Sequence, residues 1–440
     1  MAVAPAIFHR DFQVKPLWWE DFAPGAARDD QDDVPAKADV AIVGGGYAGL
    51  ATALELAKLG ASAVVLDAEA IGWGASSRNA GFVSTHSHLE SRYGLKAAPA
   101  PEEMRQRNAD AREAMTLVET LIREDGIACH WTPTGHYTAA ATPSRFARLA
   151  KKATALNELD DWQAHVVPPD AQRSETGSDF YHGGLVIGRS AMVQPALYAR
   201  GLMAACRRRG VTLAGQAPVT ALERDRGTWR VRSARGMLAA GHVVIATNGY
   251  TGGLTPQLQR RVVPIGSTII ATEEISESLA KDLVPNNRTA YDTRRVLNYW
   301  RLSHDRKRFL FGGRVRFTPQ DPADAAPLLH AAMLARFPQL AGTRITHAWT
   351  GNLGFTFDER GHAGEMDGLH YALGCNGTGI GLMTFLGTRI ARRIAGQSNY
   401  VSIWERPGFP THPLYRGTPW FLPMIGGYYR LRDWVDRLRG

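Results

Sequence analysis

Gly44, Gly46 and Gly49 stand at GxGxxG spacing. They lie between an apolar β-branched run, Asp39 to Val43, and a segment in which Leu50, Leu54 and Ala57 recur at helical intervals before Gly60. A second apolar run, Ser62 to Asp67, follows and ends in an acid. Each residue type has a task in holding a dinucleotide. Gly44 permits the tight turn, Gly46 lets backbone approach a pyrophosphate, and Gly49 lets the helix pack against the strand. The helix N-terminus, starting at Tyr47 and Ala48, offers unsatisfied N–H groups and partial positive charge to phosphates. Asp67, followed by Ala68, would accept a hydrogen bond from a ribose hydroxyl.

This fingerprint does not separate FAD from NAD; the next segment does. Gly72-Trp73-Gly74-Ala75-Ser76-Ser77-Arg78-Asn79-Ala80-Gly81 is a second loop of small and polar residues. A dinucleotide that threads past such a loop to a buried ring needs small residues and phosphate donors, so Gly74 through Gly81 join the candidate contacts. Farther on, Val243 to Thr247 reads as a buried strand closed by the turn signal Asn248-Gly249. Gly374 to Gly381 is a third glycine-rich loop, and it enters an amphipathic helix carrying Met383, Gly387, Ile390 and Ile394 on one side. It again aims N–H groups at an anion.

The elements that position these turns occupy 440 residues, enough for two or three domains. With 44% hydrophobic and 21% charged residues the chain is globular. Its net charge of +9 permits an anionic partner and names none. The sequence predicts no membrane-spanning segment, no signal peptide, no disulfide scaffold and no metal site, and Cys129, Cys206 and Cys375 suit a reducing cytoplasm. Residues 1–36 read as an irregular arm that lays Trp18 and Trp19 on the body. Helices are expected over Pro101 to Glu124, Pro143 to Trp162 and Pro195 to Arg209, with short strands between.

The segments VAIVGGGYAGL and VVLDAEAIGWGASSRNAG, with HVVIATNGY, NYWRLSHDRKRFLFGG, WTGNLGFTFDERG, ALGCNGTGIGLMTFLG and THPLYRGTPWFLP, resemble the FAD-dependent amine and D-amino-acid oxidase (DAO) superfamily over nearly the whole chain. In particular they resemble its γ-glutamylputrescine oxidoreductase subgroup. The resemblance implies an α/β fold: a discontinuous Rossmann-like FAD-binding domain (37–90, 191–255 and 346–395) and a substrate domain with a mainly antiparallel sheet (91–190 and 256–345). An N-terminal arm (1–36) and a C-terminal tail (396–440) flank them. It also implies that Val219, Ala246 and Thr247 line the adenosine and pyrophosphate side, with plain sheet core the other reading of these positions. Gly351, Gly377, Thr378, Gly379 and Ile380 would border the flavin. The FAD is expected to be non-covalent, because Thr350 and Gly351 occupy the neighbourhood where some sarcosine oxidases carry a flavin-linked cysteine. Where those enzymes hold a substrate carboxylate with lysine, this chain has Gly381, which favours an amine without an α-carboxylate unless Arg78 or Arg301 compensates.

The strand around Asn298 would face the substrate. Strand alternation places Tyr299 and Arg301 on one face and Asn298 and Trp300 on the other. Tyr299 or Trp300 would form an aromatic wall, and Arg301 would serve either the substrate or a structural ion pair. The implied reaction, one of polyamine-type catabolism, is hydride transfer from a neutral amine to flavin N5, hydrolysis of the imine to an aldehyde, and reoxidation by oxygen. Lys307 lies in the region where the superfamily can carry an oxygen-activating lysine, with a solvated strand-end lysine the other reading. The alternatives are a D-amino-acid or secondary-amine dehydrogenase feeding a quinone, with the aromatic, basic tail either touching a membrane surface or packed on the body; a flavoprotein acting on RNA, opposed by basic residues that are dispersed apart from Arg207-Arg208-Arg209, which read as a solvated helix end; and an inactive FAD-binding subunit. The expected partner is thus a small amine with oxygen or quinone as acceptor, not nucleic acid.

Overall fold

The computed structural model describes residues 7–28, 30–85, 100–314 and 321–438. The run ending at Val43 forms the strand Lys37–Val43, whose last four residues are buried. Apolar β-branched side chains suit a strand covered on both faces. It lies between Ala63–Leu66 and Gly236–Ile245 and is parallel to both. Thr212–Ala214 extends the sheet on one side, and Thr228–Ser233 and Val219–Asp225 extend it on the other. Leu369–Leu373 joins the end of Gly236–Ile245, and His362–Met366 pairs with it, giving eight strands. The helix Tyr47–Lys58 ends where Gly60 turns at φ +83°. The helix Gly379–Ile394 crosses it so closely that a Cβ on Gly387 would lie 2.2 Å from the Ala48 carbonyl oxygen.

The other sheet has nine strands, in the order Phe8–Gln13, Ile345–Phe355, Val263–Thr272, Phe309–Gly313, Asn298–Leu302, Thr289–Asp292, His136–Ala139, Gly184–Ile187 and Ala164–Val167. Most neighbours are antiparallel. One face carries Trp300, Phe309, Phe311 and Ile270 into an apolar core with Leu329 and Met333 of the helix Pro322–Leu334. From the opposite face Ser267, Ile269, Tyr291 and Tyr299 meet the eight-stranded sheet across a cavity.

The helix Pro101–Glu124 has the bounds its sequence predicts, with proline at the start and Glu102 and Glu103 in the first turn. Three expectations change. Residues 346–355 belong to the nine-stranded sheet rather than the FAD-binding domain, as Ile345–Phe355 paired with Val263–Thr272. That pairing joins segments far apart in the chain, and no local pattern announces it. The arm is not wholly irregular, since Phe8–Gln13 is an edge strand on Ile345–Phe355. Its tryptophans do lie on the body: Trp18 Nε1 donates to the Asn79 carbonyl at 2.8 Å and Trp19 Nε1 to Ser77 Oγ at 3.0 Å. The arginines 207–209 are not merely solvated, because Arg207 pairs with Asp32 at 2.8 Å and Arg209 with Asp125 at 2.7 Å. The tail forms the helix Leu422–Leu438, fastened to the nine-stranded sheet's end by Asp433 and Asp436.

Candidate active site

A cavity of about 470 Å³ runs between the two sheets from the first glycine turn to Tyr299, within the range of small-molecule sites. At its first end the main chain sets the shape. Gly44 holds φ +107°, and a Cβ there would meet the Ala246 carbonyl oxygen at 2.8 Å. Asp67 accepts hydrogen bonds from the Gly45 N–H at 2.6 Å and the Glu69 N–H at 2.9 Å. Enclosure in protein pushes the Asp67 carboxyl up to about 6, against the pull of those two donors. A Cβ on Gly46 would reach Ser76 Oγ at 2.9 Å, and the same oxygen accepts the Tyr47 N–H at 3.0 Å. The second glycine loop therefore docks on the N-terminus of the first helix.

Of the residues expected to touch cofactor, all but Gly49, Ser77 and Gly81 line this cavity. Those three support its walls. A Cβ on Gly49 would stand 1.9 Å from the Gly44 carbonyl oxygen, so its role is close packing. Ser77 Oγ accepts the Trp19 indole, and a Cβ on Gly81 would strike the Val193 carbonyl oxygen at 2.2 Å. The third loop is tied down by Asn248, whose Oδ1 accepts the N–H groups of Gly374 at 3.0 Å and Cys375 at 3.2 Å. Gly377, Thr378, Gly379 and Ile380 then open the helix Gly379–Ile394 onto the cavity.

The substrate-side expectations divide. Tyr299 lines the cavity. Its ring lies across Gly312, its partner on the next strand, where a Cβ would come within 2.2 Å of the ring. Its hydroxyl is 2.9 Å from Ser267 Oγ, and burial pushes the phenol up to about 12, so it stays protonated at neutral pH. Trp300 does not line the cavity. Alternation turns it to the opposite face, where it stacks on Tyr181 at 5.3 Å and packs edge-on to Phe337. Arg301 is not part of it either. Its guanidinium donates to the carbonyls of Ala80 at 3.0 Å, Val193 at 2.8 Å and Leu302 at 2.8 Å, and burial lowers its pKa to about 9. It does not line the cavity and forms no ion pair with a carboxylate among these contacts; it pins the second glycine loop to the sheet. Arg78 does line the cavity, but it is held between the rings of Trp19 and Trp73 at 4.6 and 4.1 Å.

Other expected positions stand outside the cavity. Gly381 is packed against Thr85 and does not line it. Lys307 is exposed, 4.0 Å from Glu274.

The sequence reading missed Phe82, Ser267, Tyr291, Leu297 and Arg314, which complete the cavity around Tyr299. Tyr291 is the direct cross-strand partner of Tyr299, and Phe82 meets Tyr299 edge-on at 6.0 Å. Arg314 is buried, with its guanidinium 4.6 Å from the centre of the Phe355 ring. The acids that line the cavity, Asp67 and Glu69, stand at the other end. Only Arg314 had a local signal, as the first basic residue after the apolar strand Phe309–Gly313.

Known proteins share both the sequence and this architecture. Residues 39–393 match the family described as FAD dependent oxidoreductase (DAO). The chain is 32% identical to the γ-glutamylputrescine oxidoreductase of Escherichia coli K12 over 405 residues, covering 90% of this chain and 92% of that protein. In fold it is similar to glycine oxidase from Geobacillus kaustophilus, with a TM-score of 0.68 and 20% identity over 87% of this chain and 99% of that one. It is likewise similar to iminodiacetate oxidase from Chelativorans, with a TM-score of 0.66 and 18% identity over 84% and 100%. A family match over residues 39–393, which takes in all three glycine turns, settles the lineage: the chain belongs to the DAO family of FAD-dependent oxidoreductases.

Proposed function

We propose that this protein oxidises the C–N bond of a small amine whose oxidised carbon bears no carboxylate but whose far end carries one, as γ-glutamylputrescine does. The observation that carries this reading is one cavity that joins the glycine turns to an aromatic end formed by Phe82, Tyr291 and Tyr299, with Arg314 in its wall. The residues fit FAD. Gly44, Gly46 and Gly351 line the cavity with bare backbone, Asp67 lines it with a carboxylate that can take a ribose hydroxyl, and two helix N-termini open on the cavity. When bound non-covalently, the flavin supplies the hydride acceptor at N5 and the electron outlet to oxygen.

The chain's own residues do the rest. The aromatic walls exclude water, which lowers the pKa of a bound amine and favours its neutral form. Tyr299, locked across Gly312, holds the carbon in place while its neutral phenol bonds Ser267. Arg314 supplies a charge-assisted hydrogen bond at the far end, worth roughly 1.5–3 kcal/mol. The N–H groups of the third loop offer fixed donors to negative charge developing nearby. The imine leaves for hydrolysis to an aldehyde. Three buried free cysteines suit a reducing cytoplasm.

A second reading is a dehydrogenase for D-amino acids or secondary amines that delivers electrons to a quinone. Two placements favour it: Arg314 can take a carboxylate, and Lys307 is exposed away from the cavity, so it does not serve oxygen there. Anaerobic bleaching of the flavin by γ-glutamylputrescine, putrescine, sarcosine and D-alanine, followed by air, separates the readings. Fast bleaching by γ-glutamylputrescine with peroxide on reoxidation is expected. Bleaching only by sarcosine or D-alanine, or a reduced flavin that air leaves unchanged, overturns the first reading in favour of the second.

A further inference from the structure

The C-terminal helix Leu422–Leu438 has two faces of different use. Leu422 and Tyr429 pack into a cluster with Val263, Ile265, Phe355 and Tyr415. Both acids of the helix also point inward. Asp433 accepts the backbone N–H groups of Arg295 and Val296 at 3.1 Å each, and Asp436 pairs with Arg295 at 2.6 Å and Arg145 at 2.7 Å.

The opposite face is apolar and open to solvent. Met424 is 63% exposed, Tyr428 51%, Leu431 56% and Trp434 56%, with Trp420 at 54% just before the helix. At about 100° per residue these helical side chains fill an arc of roughly 120° directly opposite the packed face. Arg430 lies beyond one edge of that arc and Arg432 beyond the other, both exposed, and exposed Arg416 precedes the helix. Among the described residues the outward face therefore carries aromatic, aliphatic and cationic groups and no acid. Among the described residues, no helix is long and apolar enough to cross a membrane.

We propose that this face docks in the plane of an anionic lipid bilayer. Tryptophan and tyrosine favour the water–hydrocarbon boundary. Met424 and Leu431 would enter the acyl region, and the flanking arginines would meet headgroup phosphates, the arrangement of an interfacial amphipathic helix. Charge selects this occupant over a second copy of the chain. A two-fold contact would set the same arginine-flanked patch against itself, whereas anionic headgroups complement its charge. The helix is fastened to Arg295 and Val296, and the next residue, Leu297, lines the cavity. Docking would thus place the substrate end of the cavity near the membrane surface.

The test is co-sedimentation of the full-length, FAD-loaded protein with vesicles of phosphatidylcholine containing phosphatidylglycerol, and with phosphatidylcholine alone. Binding to the anionic vesicles is expected, at least about tenfold tighter than to neutral ones and weakened by salt. The double variants M424S/W434S and R430Q/R432Q alter only exposed groups and should each lose about tenfold in vesicle affinity while keeping the wild-type rate on soluble amine. No vesicle binding by the wild type overturns the proposal. So does binding that neither double variant weakens, or a dimer in solution that M424S/W434S abolishes, since then a second copy covers the face.

Discussion

The turn Gly44–Gly49 and the strand Asn298–Leu302 border the same cavity but are specified in different ways. In the turn, absence of side chains is the information. Gly44 stands at a positive φ beneath Ala246, and Gly49 leaves no room for a Cβ against Gly44. In the strand, the information is register. Tyr299 faces the cavity because it sits opposite Gly312 and Tyr291, and Trp300 and Arg301 on either side of its backbone plane serve the core and a neighbouring loop. A glycine fingerprint records its constraint locally, whereas a substrate wall depends on strands that meet from distant parts of the chain.

The largest expected effect tests the first half of that contrast. Gly49→Val places atoms where the Gly44 carbonyl already stands, 1.9 Å from the ideal Cβ. Overpacking of this kind costs up to about 3 kcal/mol, and the shifted turn should leave purified protein without flavin. Absorbance of flavin per chain, with thermal unfolding, is the readout. A variant that keeps full flavin would show that the turn tolerates side chains and that the contrast is false.

Next is Arg301→Met. The Ala80 and Val193 carbonyls lose their buried donor, and unfolding free energy should fall by about 3 kcal/mol. The KM of the remaining folded enzyme should hardly change. A raised KM with unchanged unfolding would return Arg301 to the substrate site.

The same distinction explains what could be read beforehand. The first strand, helix and acid were legible because glycine spacing, helical periodicity and a terminal carboxylate lie within one short segment. Pro101 and the acids after it likewise marked a helix start. Tyr299 was legible as a strand residue, but period-two alternation gives two faces without saying which meets the cavity, so Trp300 competed with it. Ser267, Tyr291 and the strand 345–355 were not legible as neighbours, because only sheet register brings them together. Arg314 was not legible as a wall residue for the same reason, while Arg78 and Arg301, which lie within or beside the motifs, are engaged by aromatic rings and by carbonyls.

Arg314→Gln gives a middle-sized effect at the register-coded end. KM for an amine whose far end bears a carboxylate should rise about ten- to a hundredfold, the value of one charge-assisted bond, with putrescine unaffected. Equal loss for both amines would make Arg314 structural. At the glycine-coded end, pH gives a smaller change. The Asp67 carboxyl titrates near 6 in the cofactor-free protein, raised by its enclosure. Ribose hydroxyls favour its ionised form, so flavin affinity is full above that pH. It falls as pH drops through 6, by up to about tenfold per unit, as the carboxylate takes up a proton. Flavin-fluorescence titrations of apoprotein across this range should show the slope, and Asp67→Asn should flatten it.

Tyr299→Phe should produce the smallest effect. The ring still covers Gly312 and still walls the cavity; only the hydroxyl bond to Ser267 is lost. A neutral hydrogen bond of that kind is worth about 0.5–1.5 kcal/mol, so turnover should fall about two- to tenfold. Because burial holds the phenol near 12, its ionisation contributes nothing to the pH profile of the wild type at neutral or mildly alkaline pH. The profile of the variant should therefore superimpose on it after scaling. Tyr299→Ala, which empties the wall, should cost far more than Tyr299→Phe. If Tyr299→Phe alone removed an alkaline limb from the profile, the hydroxyl would be moving a proton in the reaction, and this end of the cavity would be specified by chemistry as well as by shape.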